Sequence, residues 1–259
     1  MTTRPKVIQH ALGRPPYYAD ELVNGVPVLR SLEQGAPLPI VTEVPCFTGD
    51  GSASHVTCGE FPLPSTEDFS FEFDYFHDGT LFSSILDIRT STHFLFAWAT
   101  NTSAVGSSKF YLNGSVVAEK ANTLSQGKWH HVVLSRAGNS FTQSVTNIET
   151  QNTVSETHTH TGVLSFAPNA RLGLMGTYWN GTSFLTANPP FGRIANFKFT
   201  SSSHNREYTF QECGGRTIYD TSGNGNHGTI VGGDLANIWA NKVTSKDHCV
   251  EHGGRWNWQ

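Results

Sequence analysis

Residues 69–75 read Phe69-Ser-Phe-Glu-Phe-Asp-Tyr75. Phe69, Phe71, Phe73 and Tyr75 fall on one side of an extended chain; Ser70, Glu72 and Asp74 fall on the other. A period of two with aromatics on one side is the pattern of a β-strand that buries one face. The turn residues His77-Asp78-Gly79 close it. Beyond them, Leu81–Ile88 and His93–Ala99 read as further strands, the second setting Phe94, Phe96 and Trp98 on a single face. Asn113-Gly114 separates the apolar runs 109–112 and 115–118, and both turn residues tolerate the positive φ of a tight hairpin. Segments 129–135, 141–148, 171–175, 192–200 and 207–211 carry the same short alternation. No segment sustains a helical period. The expected fold is all-β, an antiparallel sandwich.

The bulk composition agrees. With 37% hydrophobic residues and 17 Phe in 259, the chain can fill one large core. Charged residues are 15% and the net charge is −4. Binding to nucleic acid needs a clustered basic surface, so that partner is not expected. No apolar stretch reaches the roughly 18 residues of a membrane span. The opening Met1–His10 lacks the apolar core of a secretory signal, so a soluble chain without its own export is expected.

Residues 1–44 differ from the rest. Of 12 prolines, Pro5, Pro15, Pro16, Pro27, Pro37, Pro39 and Pro45 all precede residue 46. Proline fixes φ and removes a ladder donor, so an extended arm with at most short edge strands is expected. Its apolar residues (Val7, Ile8, Tyr17, Tyr18, Leu22 and Val28 among them) are too many for a solvated linker. The arm is expected to dock on a partner or to mediate assembly. Residues 45–235 then form the sandwich and 236–259 a C-terminal tail. Cys46 and Cys58 flank a Gly-rich turn and could sit on paired strands; Cys213 and Cys249 are less constrained. The spacings fit no common zinc pattern, and buried free thiols are the simpler expectation.

Several stretches carry a family resemblance. Phe110-Tyr-Leu-Asn-Gly114 followed by Gly127-Lys-Trp-His-His-Val132 resembles the hairpin and Gly-x-Trp-His-x-Val signature of laminin G domains. Thr48–Val56 resembles a degraded form of their Phe-Asp-Gly opening. Arg171–Met175 and Phe191–Phe199 resemble their closing strands. Asp220-Thr-Ser-Gly-Asn-Gly-Asn-His-Gly228 is similar to an element that accompanies the fold, although it usually opens such domains and here closes one. The resemblance implies a jelly-roll-like sandwich of the laminin G/concanavalin A-like kind. It also implies a core position for Trp129. With the short Trp-bearing tail, the arrangement resembles structural proteins of bacteriophage virions.

The wider fold family includes glucanases, whose catalytic strand resembles Glu-x-Asp-x-Glu. Here Glu72-Phe-Asp74-Tyr-Phe76 has Phe76 at the third acidic position, so the paired carboxyl groups of glycoside hydrolysis are incomplete and no enzyme is expected. Consecutive His130 and His131 must face opposite ways on a strand, whereas His158 and His160 share a face without an evident third ligand. Asp220, Ser222, Asn224 and Asn226 place oxygen donors at alternate positions of a glycine-rich loop. They form a candidate calcium site, with Asp50 as a possible further ligand; the same residues also suit a turn that caps its own backbone. Tyr178, Trp179 and Asn180, in a Gly-rich loop between two expected strands, form the candidate carbohydrate platform.

The functional expectation is a virion structural protein: a tail-fibre, baseplate or head-decoration component assembled in the host cytoplasm and released by lysis. Residues 1–44 would bind other virion proteins, a homo-oligomer would form, and the sandwich would adhere to a host surface glycan. A stand-alone carbohydrate-binding module is the alternative, and a glycoside hydrolase is a more distant one.

Overall fold

The computed structural model describes residues 6–8, 17–23, 26–31, 46–50, 54–63, 65–79, 84–90, 94–100, 106–160, 169–179, 184–186, 191–210, 212, 215–233 and 239. The chain divides into two units, Met1–Glu43 and Val44–Gln259. In the first, β1 (Lys6–Ile8), β2 (Tyr17–Val23) and β3 (Val26–Ser31) form an antiparallel sheet in that order. This is more order than the proline count led us to expect, for β2 and β3 pair from Tyr17↔Ser31 to Val23↔Val26. Two features permit it. Asn24-Gly25, the dipeptide between the strands, is a two-residue hairpin sequence. Pro27 lies on β3, an edge strand, where a missing ladder donor costs little.

The second unit begins with β4 (Phe47–Asp50), β5 (His55–Glu60), β6 (Phe69–His77), β7 (Ser84–Arg89) and β8 (Phe94–Thr100). The Asn113-Gly114 hairpin joins β9 (Ser108–Leu112) to β10 (Ser115–Lys120), with φ of 48° and 79° at the two turn residues. Next come β11 (Lys128–Ala137), β12 (Ser140–Asn147), β13 (Thr153–Thr159) and β14 (Arg171–Leu174). The last six are β15 (Thr177–Trp179), β16 (Phe184–Thr186), β17 (Phe191–Ser201), β18 (Asn205–Tyr208), β19 (Thr217–Ile218) and β20 (Gly228–Val231).

One sheet runs β10-β9-β8-β7-β14-β5-β20-β19; the other runs β13-β12-β11-β6-β17-β18, with β4 also paired to β17. The chain changes between these two sheets from β4 to β5, β5 to β6, β6 to β7, β10 to β11, β13 to β14 and β18 to β19, and it returns to the second at β17 after the separate β15–β16 pair. The result is an all-β, antiparallel, jelly-roll-like sandwich. The strand 69–75 read from sequence is the centre of the second sheet, buried at every odd position from Phe69 to His77 and half-buried at every even one.

The inner faces meet in an aromatic core. Phe71 lies 4.8 Å from Phe96 and 4.7 Å from Phe199 between ring centroids, and Phe61 meets Phe199 edge-on at 4.7 Å. Each fully buried Phe contributes roughly 1.5–3 kcal/mol by removal from water. Arg206 of β18 crosses between the sheets. Its guanidinium donates to the carbonyls of Cys58 and Glu60, on β5, and lies over the Phe61 ring at 4.9 Å. Trp239 is buried, is bridged to Phe47, and donates its indole N–H to the Gly215 carbonyl at 3.3 Å.

Candidate functional site

The water-facing side of the seven-member sheet follows from the same alternation. On β11 the inward residues are His130, Val132, Leu134 and Arg136, so Trp129, His131, Val133 and Ser135 point outward and are half-buried. Antiparallel register sets Trp129 beside Phe76, His131 beside Asp74 and Val133 beside Glu72. On the other flank of β6, β17 brings Arg193 beside Phe76 and Lys198 beside Glu72. Between Ala195 and Lys198 the register shifts, and Asn196 takes a left-handed φ of 51°. Asn tolerates this conformation better than most residues.

These placements build two adjoining rows. In the first, the Trp129 indole meets Phe76 edge to face, 5.6 Å apart at 63°. The Arg193 guanidinium lies 5.1 Å from the centre of the same Phe76 ring, a cation–π contact of about 0.5–1 kcal/mol at an exposed position. In the second row, Asp74 Oδ1 lies 2.9 Å from His131 Nδ1, while Asn196 Nδ2 donates to Asp74 Oδ2 at 2.8 Å. The hydrogen bond to Asp74 raises the His131 pKa above its ordinary value, against the opposing effect of partial burial. The face thus presents an indole, a phenyl ring, a guanidinium, an amide and a carboxylate within two strand spacings.

Trp129 therefore stands on the opposite face from the core place that the resemblance implied. The reason is phase: once Val132 and Leu134 face inward, Trp129 must face outward, and that much was readable from the strand itself. Trp98 does lie in the core, fully buried, with its indole N–H donated to Gln143 Oε1 at 3.2 Å. Phe76, Arg193, His131 and Asn196 were not singled out as a group, because register across three strands brings them together.

Tyr178 and Trp179 lie on β15, which pairs with β16 through Tyr178↔Leu185 and Trp179↔Phe184. They belong to a strand of a hairpin and not to the loop expected of them; Asn180 lies outside the described residues. The Asp220 turn is organised around its carboxylate. Oδ1 accepts from the backbone N–H groups of Ser222 at 3.0 Å and Glu207 at 3.2 Å, and Oδ2 accepts from that of Asn226 at 3.0 Å. Burial alone would raise the Asp220 pKa, but the bonds from Ser222, Glu207 and Asn226 outweigh it and hold the carboxyl below its ordinary value. The Asn224 side-chain amide donates to Asn205 and to Ser222 Oγ. Asp220, Ser222, Asn224 and Asn226 are thus brought together as a turn that caps itself, which accounts for their spacing without a cation. The side chain of Asp50 lies outside the described residues.

Glu72 and Asp74 share the outer face of β6, as alternation requires, with Phe76 next in line. His130 and His131 face opposite ways; His158 lies on the edge strand β13. Among the described residues no three His, Cys, Asp or Glu side chains converge in a metal-binding group. Cys46 and Cys58 are both buried, and burial pushes the Cys58 thiol up to about 12. They do not lie on paired strands, since Cys58 is on β5 and Cys46 immediately precedes β4 in the other sheet. Cys213 and Cys249 lie outside the described residues.

No protein-family model matches the chain. No curated protein shows significant similarity to it. Solved structures similar in shape include the LG1-3 region of the laminin α2 chain (TM-score 0.46, 13% identity), matched over 72% of this chain and 35% of that one. Domains LG4-5 of the mouse laminin α1 chain match with a TM-score of 0.44 and 17% identity, over 77% of this chain and 56% of that one. The CBM40 of the Ruminococcus gnavus IT-sialidase, bound to α2,3 sialyllactose, matches with a TM-score of 0.43 and 10% identity, over 60% of this chain and 90% of that one. The chain therefore spans about a third of the laminin α2 fragment that it matches.

Proposed function

We propose that this chain is a non-catalytic structural protein of a bacteriophage virion, in a tail fibre, a baseplate or the head decoration, and that its sandwich adheres to a host surface glycan. The observation that carries the assembly role is the division of the chain. Residues Met1–Glu43 form a unit with their own sheet, whose strands are only 3, 7 and 6 residues long. A unit this small seldom holds itself together without disulfides, metals or association. It has no cysteine, since the first is Cys46. Association with other virion proteins or with further copies of the chain supplies the missing burial. The Asp220–Gly228 motif closing the sandwich, as in the virion proteins it resembles, supports the same reading.

Two measurements test this. Sedimentation of the full chain should give an oligomer, and residues 44–259 alone a monomer; a monodisperse full-length monomer would contradict the assembly role. In negative-stain images, a label on the C-terminus should decorate purified particles. Label found only in the soluble fraction of the lysate would remove the virion assignment. It would leave the alternative, a stand-alone carbohydrate-binding module, which the separate unit Val44–Gln259 favours. The Tyr178–Asn180 segment is one place for the glycan, and a glycan array with Trp179→Ala reports on it.

A further inference from the structure

We infer that the outer face of β6, β11 and β17, and not the β15–β16 hairpin, holds the sugar, and that its ligand is a neutral pyranose unit of a polysaccharide. The inference rests on the reading of the sandwich as a glycan-binding module.

Two independent observations meet at this face. The first is a pair of aromatic rings on the solvent side of a sheet that already has a filled core. Trp129 and Phe76 are half-buried there, and the Phe76 ring is held between the Trp129 edge and the Arg193 guanidinium. Half-exposed rings fixed by their neighbours offer apolar area at little cost in side-chain entropy. A pyranose has a C–H face to lay on such rings and hydroxyls around its rim.

The second is the polar row beside them. Asp74 is only 17% exposed, yet its carboxylate is aligned from both sides, by His131 Nδ1 and Asn196 Nδ2. Asn196 reaches it because β17 carries a bulge with a left-handed residue at that point. Bulges and non-glycine residues of positive φ re-aim side chains at functional positions. A carboxylate has about four lone-pair directions, and two fixed donors leave acceptor capacity for sugar hydroxyls. Charges on the face nearly balance: the cations are Arg193, beside Phe76, and Lys198, beside Glu72, and the carboxylates are Asp74 and Glu72. With cations and carboxylates in equal number, the face has no net field to draw a strongly charged glycan of either sign, which selects a neutral ring.

The test is affinity electrophoresis of the full chain through gels holding neutral polysaccharides (a β-glucan, a galactan, a chitin-derived oligomer conjugate) or acidic ones (heparin, alginate). At least one neutral gel should retard the wild type. Trp129→Ala and Asp74→Asn should each weaken that retardation by about tenfold or more, roughly 1.4 kcal/mol. Near-UV circular dichroism, dominated by buried rings such as Trp98, should stay unchanged in Asp74→Asn and so separate lost binding from lost folding. Retardation by a neutral gel that persists in both variants but disappears in Trp179→Ala overturns the site while leaving the glycan reading intact. Retardation by acidic gels alone overturns the ligand class. No retardation by any gel overturns the glycan reading and this inference with it.

Discussion

Gln143 is a buried amide amid aromatic rings. Its Oε1 accepts from the Trp98 indole N–H and from Ser108 Oγ–H at 3.1 Å, and its Nε2 donates to Glu156 at 3.3 Å. Gln143→Leu fills the space but strands two donors, so a loss of about 1–3 kcal/mol is expected from the shift in urea midpoint. Asp220 makes a comparable prediction for the turn. Asp220→Ala removes the acceptor for three backbone N–H groups and should cost about 2 kcal/mol in the presence of EDTA. A loss seen only when calcium is present would instead identify the turn as a cation site. His77 and His130 are fully buried, and His77 has no hydrogen-bond partner at either ring nitrogen. Burial lowers both pKa values, with His77 adding repulsion at His130, which falls to about 4. Their folded values lie below the unfolded value near 6.5, so the unfolded chain binds more protons as the pH drops. The stability they contribute is complete above pH 6.5 and is lost as pH falls below it, down to about 4 in the case of His130, by up to about 1.4 kcal/mol per pH unit for each histidine. His130→Gln keeps an acceptor for the Ser125 N–H and should flatten that slope; an unchanged slope would assign acid lability to other groups.

At the scale of elements, the strongest constraint is how β17 approaches β6. Gly192 has φ of +102°, and a Cβ there would stand 2.4 Å from the Phe76 carbonyl oxygen. Gly192→Ala should cost about 2 kcal/mol or more, through both strain and clash, and should displace Arg193 from Phe76. An unchanged urea midpoint would show that β17 tolerates a shift in register. Legibility at this scale depended on length and phase. The strand at 69–75 was readable because an aromatic recurs at every second residue, and the hairpin at Asn113-Gly114 because its turn chemistry is specific. The β15–β16 segment looks like a loop in sequence because three-residue strands give alternation too little length to register. The bulge at Asn196 left no trace, because its cause is the pairing of β17 with β6 and not any local preference.

For the whole molecule, the described core is furnished by residues 47–239. Val44–Gln259 is a unit of its own, so residues 44–259 produced alone should keep the unfolding free energy of the full chain; a fall exceeding about 1 kcal/mol would make the N-terminal unit part of the sandwich's own stability. By itself the sequence determined the all-β class, the antiparallel pairing, most core aromatics and the distinct character of residues 1–44. Each of these follows from alternation, turn chemistry or proline content within a few neighbouring residues. For Trp129 the family motif points to the core, whereas the phase of its own strand, with Val132 and Leu134 inward, sets it on the outer face. Only the tertiary structure decided that Phe76, Trp129 and Arg193 form one row, and Asp74, His131 and Asn196 the next. Those residues lie up to 122 positions apart in the chain. Backbone hydrogen-bond register is what makes them neighbours, and register is a property of paired strands that no single strand encodes.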